Sequence, residues 1–130
     1  MAASDEPRNP IVEEIAFIIR ELRLQISGFI TECRRETEYS EESQLRIAAL
    51  IRQTAEQFRT MLSRIDEKIA EGTSKLIVHE LVRAIGELLF LADLGTGYPR
   101  KWFTEIAPRV LQESFSRTDG AQFLLNPTKK

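Results

Sequence analysis

From Ile11 to Phe115 apolar residues recur at intervals of three and four, and no segment alternates apolar with polar residues. That spacing places the apolar side chains on one face of a helix and excludes a half-buried strand, so the chain is confined to the all-α class. The first run sets Ile11, Ile15, Ile18, Leu22 and Phe29 beside Val12, Ala16, Ile19, Ile26, Ile30 and Cys33, predicting a helix over 11–37. Ser40 followed by Glu41 and Glu42 suits an N-cap with acids in the positive first turn, which opens a second helix over 40–71 that Gly72 closes. A third helix, 74–94, is capped by Thr73 or Ser74 and is apolar on all but a thin stripe, which marks it as central. Gly95, Thr96 and Gly97 read as punctuation before a fourth helix over 99–116, which Pro108 should kink. The expected architecture is an antiparallel four-helix bundle over 11–117, with a polar leader at 1–10 and a tail at 118–130. In that tail Phe123, Leu124 and Leu125 dock either on the bundle or on another chain.

Composition removes several classes of function. Acids and bases are interspersed and the net charge is -2, so no long-range positive field draws in nucleic acid or an anionic membrane. The most apolar stretch, 76–94, carries His79, Glu80, Arg83, Glu87 and Asp93, each costly in hydrocarbon, so no membrane span is expected. One cysteine, Cys33, cannot close an internal disulfide, and no charged-then-apolar leader precedes the first helix. Both features suit a reducing, cytoplasmic setting.

Catalytic and metal chemistry lacks its side chains. His79 is the single histidine, and Leu76 stands three residues before it where a di-iron bundle requires glutamate. No cofactor and no metal site are expected, and the chain reads as a non-enzyme. The segment His79-Glu80-Leu81-Val82-Arg83 resembles the phospho-accepting helix of two-component proteins, but it lacks the proline of the sensor kinases and the Lys-Gly of the phosphotransfer domains. A histidine phosphotransfer role for His79 is therefore kept only as an alternative to a solvated polar stripe.

Length provides the main functional expectation. First and second helices of about 40–48 Å would outreach third and fourth helices of about 25–30 Å at 1.5 Å per residue. The far tip of the first hairpin, built from Ile26, Phe29, Ile30 and Cys33 against Leu45, Ile47, Ala48 and Ile51, would then be bare. An uncovered apolar tip calls for a second chain, so the expected partner is another copy, a dimer above all, or a partner protein helix; the alternative is that the fourth helix or the Phe123-Leu124-Leu125 tail folds over the tip, or that the second helix breaks early. A second candidate contact is Tyr98, Arg100, Lys101 and Trp102, where aromatic rings beside cations could stack on bases or a peptide. With Arg34, Arg35, Lys129 and Lys130 these cations support an alternative role as a nucleic-acid-associated helical accessory protein.

The run Ser43-Gln44-Leu45-Arg46-Ile47-Ala48-Ala49, with Ala84-Ile85-Gly86 and Ala92-Asp93-Leu94-Gly95, is similar to the four-helix-bundle family linked to ribosomal-RNA intervening sequences and retroelement accessory proteins. That resemblance implies an oligomeric bundle, although the acidic balance here departs from the basic, RNA-binding members. The combined expectation is a non-enzymatic interaction, assembly or regulatory subunit that self-associates through the hairpin tip.

Overall fold

The computed structural model describes residues 10–69, 72–94 and 98–126. Among them the chain forms the expected all-α bundle. Helix α1 spans Pro10–Arg35, α2 Glu41–Asp66 and α3 Thr73–Asp93. Helix α4 covers residues 99–125 in three contiguous stretches: α-helical Pro99–Lys101, π-helical Trp102–Ile106 and α-helical Ala107–Leu125. Helix α3 packs most extensively on α4. The α2–α3 and α1–α4 pairs follow, and α1 and α2 touch each other least of the neighbouring pairs.

Local chemistry explains the starts. The Ser40 hydroxyl accepts a hydrogen bond from the Ser43 amide at 3.0 Å, with Glu41 and Glu42 in the first turn, so α2 begins where its cap requires. Helix α2 ends at Asp66, short of the expected residue 71. Lys75 accounts for the closure: its ammonium donates to the Ile69 carbonyl at 3.3 Å and pairs with the Asp66 carboxylate at 2.7 Å, drawing the start of α3 across the end of α2. Gly72, expected as the C-cap of α2, is instead the N-cap of α3. Its φ of 103° is one that L-residues rarely adopt, and its carbonyl accepts from the Lys75 and Leu76 amides. The Gly95-Thr96-Gly97 turn lies outside the described residues.

The fourth helix departs most from expectation. Expected to end at residue 116, the helix continues through Ser116 to Gly120 as far as Leu125. Side chains from two neighbours explain this. Ser114 donates to the Ala84 carbonyl at 2.9 Å inside the α3–α4 contact, and Arg117 pairs with Glu87 at 2.8 Å. Arg23 of α1 reaches Thr118 at 3.0 Å, also bonds Asp119, and lies 4.3 Å from the Phe115 ring centroid. These tertiary contacts outweigh the weak helix propensity of Ser, Thr, Asp and Gly. The small buried residues Ala84, Ala107, Ser114 and Ala121 let the α3 and α4 backbones approach closely. Residues Leu124 and Leu125 therefore pack in cis, against the core of the same chain.

Pro108 does not break the helix. It follows directly on the π-helical stretch and has no N–H to donate back into it, so the irregular winding and the change to α-helix at Ala107 fall where proline removes a regular hydrogen bond. The π-helical stretch is visible at its end, where the Ala107 amide donates to the Trp102 carbonyl five residues back.

Candidate interaction surface

The expected length mismatch persists in α3, with 21 residues against 26 in each of α1 and α2, but not in α4. Helix α4 runs about 40 Å at 1.5 Å per residue, as long as the 26-residue α1, and its first turns close the hairpin tip. Phe103 packs there against Tyr39, with ring centroids 5.9 Å apart, and Trp102 meets Phe103 edge-to-face at 5.1 Å. Six of the eight residues assigned to a tip interface are consequently core: Ile26, Phe29, Cys33, Ile47, Ala48 and Ile51 are all buried by their own chain. Ile30 is half-buried against the same core, and Leu45 alone is exposed. The premise of a bare tip is overturned, because the chain that covers it is α4.

The second candidate group divides. Tyr98 is 82% exposed and takes a left-handed φ of 49° immediately before α4. Arg100 and Lys101 are exposed, and the Arg100 guanidinium lies 5.9 Å from the Tyr39 ring centroid. Trp102 is 1% exposed, so it is a core residue and cannot stack on a base or a peptide. It shares the inward face of α4 with Phe103, Ala107 and Leu111, all buried. Arg34 and Arg35 are exposed at the same end of the bundle, interleaved with the exposed Glu32, Glu38, Glu41 and Glu42, which cancel much of their field. Lys129 and Lys130 lie outside the described residues.

Cys33 is sealed within this end. Burial first, and then the Glu32 and Glu36 carboxylates, push its thiol up from 9.0 to about 12. Above about pH 9 the unfolded chain ionises the thiol while the folded chain keeps the proton. The stability it contributes is intact below pH 9 and falls by roughly 1.4 kcal/mol per pH unit as pH climbs toward 12. Urea unfolding midpoints of Cys33→Ala are expected to decline less steeply across that window than those of the wild type; parallel declines would refute the assignment.

Helix α3 presents the surface that sequence reading missed. Its inward residues Ile77, Leu81, Ala84, Leu88 and Leu91 are buried. Its outward face, taken for a thin polar stripe, leaves Leu76 56%, Val82 46% and Phe90 57% exposed, with Leu94 at 39%. Val82, Gly86 and Phe90 stand at i, i+4 and i+8 and so form one line along the helix. His79 and Asp93, both exposed, continue it at either end. The signal was present at helical spacing, but a wheel nearly full of apolar residues does not reveal which side the other helices will leave uncovered. His79 is an exposed member of this face, beside the Glu80–Arg83 pair at 3.8 Å.

Among the described residues no group of three or more His, Cys, Asp and Glu side chains could hold a metal ion, and no helix is long and apolar enough to cross a membrane. An open cleft of about 530 Å³ lies between α1 and α4, lined by Arg20, Arg23, Leu24, Phe115 and Leu125. Its two cations are engaged elsewhere: Arg23 with Thr118 and Asp119, Arg20 over the Phe17 ring at 5.7 Å. No nucleophile–base pair converges there. No protein-family model, curated protein or solved structure matches the chain, the intervening-sequence bundles included, so its surfaces alone carry the functional argument.

Proposed function

We propose that the protein is a non-enzymatic helical assembly or regulatory subunit that self-associates, and that the contact surface is the outer face of α3 rather than the hairpin tip. The single observation behind this reading is the exposure of Leu76, Val82 and Phe90 on one helix whose opposite face is core, with Leu94 exposed at its end. Scattered apolar side chains are ordinary on a protein surface, but a face of this kind on one rigid element marks a contact with another chain. Covering roughly 300 Å² of apolar area on each of two chains contributes about 15 kcal/mol at 25 cal/mol per Å². Association and side-chain ordering oppose this by an amount of similar size, so the assembly is weak and concentration-dependent. A reducing, cytoplasmic setting is compatible with the sealed thiol of Cys33.

Sedimentation equilibrium tests the reading. The wild type is expected to rise above its monomer mass of 14.9 kDa as concentration increases, whereas a Val82→Glu, Phe90→Glu variant stays at 14.9 kDa with its helicity unchanged. A wild type that remains monomeric at high micromolar concentration would remove the proposal.

The alternative role beside nucleic acid draws on Arg34, Arg35, Arg100 and Lys101, exposed at one end of the bundle. The neighbouring glutamates oppose it, and a steep salt dependence of binding to RNA or DNA is the property it would have to display.

A further inference from the structure

We propose that the outer face of α3 pairs with the same face of a second copy, antiparallel, about a two-fold axis beside Gly86; this rests on the self-association reading and specifies its partner surface and closure. Gly86 is the starting point. It is helical, needs no positive φ, and a Cβ there would meet nothing within 4 Å. Alanine would therefore serve the monomer better, since glycine weakens a helix interior. Gly28 and Gly120 are equally open. Only Gly86, however, has a large exposed hydrophobic one turn away on both sides, Val82 and Phe90. A flat spot between two apolar ridges admits another helix at close range, because the missing side chain lets the backbones approach.

The face is complementary to itself. When two α3 helices run antiparallel with Gly86 against Gly86, Val82 of each copy falls opposite Phe90 of the other. His79 of each copy falls opposite Asp93 of the other, setting an imidazole beside a carboxylate at both ends of the seam. The Asp93 carboxylate is already held in place by Arg52 of its own chain. In a parallel arrangement Val82 would meet Val82, Phe90 would meet Phe90, and the acids would face each other. The seam from His79 to Asp93 is about 21 Å long and buries on the order of 800 Å² over both copies, the range of weak, reversible pairs. An isologous contact of this kind closes at two subunits. Docking of α3 onto a different surface, such as the α1–α4 cleft, would instead propagate into open chains.

Cysteine cross-linking separates these arrangements, and the buried native thiol of Cys33 stays silent under mild oxidation. With oxidised glutathione, Gly86→Cys is expected to form a covalent dimer at least tenfold faster than Leu76→Cys. Leu76 is as exposed, but antiparallel pairing separates its two copies by about 30 Å along the seam. Gly86→Leu, whose Cβ has nothing within 4 Å in its own fold, is expected to melt no lower than the wild type and to weaken the dimer at least tenfold by sedimentation. Equal cross-linking rates, or a Gly86→Leu chain that associates like the wild type, would overturn the pairing while leaving self-association standing. A wild type that is monomeric at every concentration would overturn both.

Discussion

Ile47→Glu is expected to unfold the protein, and not to split an oligomer. Ile47 is 1% exposed in the core, so the substitution removes a buried aliphatic side chain and leaves a carboxylate without a partner. Loss of apolar burial costs about 2–5 kcal/mol, and the unpaired polar group adds about 1–3 kcal/mol. Together these approach the whole stability of a domain this size, which is roughly 5–15 kcal/mol. Circular dichroism should show loss of the cooperative thermal transition or a fall in its midpoint by more than about 15 °C. Leu45→Glu, two residues away but 46% exposed, should leave the transition nearly where it was. A soluble, wild-type-like Ile47→Glu monomer would restore the hairpin tip as a free surface and discredit the packing described above.

Trp102→Ala carries the next largest expected loss, about 3–5 kcal/mol, because it opens a cavity where α4 closes the bundle end. Trp102 is 1% exposed and its ring meets Phe103 at 5.1 Å. Trp102→Phe should be much milder, since the indole Nε1 is buried without a hydrogen-bond partner and the smaller ring removes that orphaned donor. Urea denaturation of the three proteins would order them wild type, Phe, Ala in falling stability. In the wild type this single tryptophan should also emit at short wavelength until the chain unfolds. An alanine variant as stable as the wild type would mean that the bundle end is not packed as described.

Helix identity was legible in sequence because helical periodicity is local, and a cap such as Ser40 acts within three residues. The fate of residues 116–125 was not, because that helix persists through partners on other helices. Arg23 bonds Thr118 across 95 positions and Ser114 bonds the Ala84 carbonyl across 30. Reading the segment after 116 as a tail shortened α4 only at the end remote from the hairpin tip, beside Arg23. The tip is covered by the first turns of α4, where Phe103 meets Tyr39, a placement that depends on how α4 lies against α1 and α3 and leaves no local signal in sequence. The α3 face was hidden for a related reason: Val82 and Phe90 look like core residues until the positions of the other helices are known.

The π-helical stretch within α4 has a consequence for the angular phase of the helix. One residue more than a regular α-helix would use separates Trp102 and Phe103 from Ala107 and Leu111, and all four are buried. A chain shortened by one position between them would gain ordinary hydrogen bonding but would turn the two rings by about 100° about the helix axis. The irregular winding works as a rotary offset, aiming the aromatic lid at the hairpin while the remaining turns stay in step with α1 and α3.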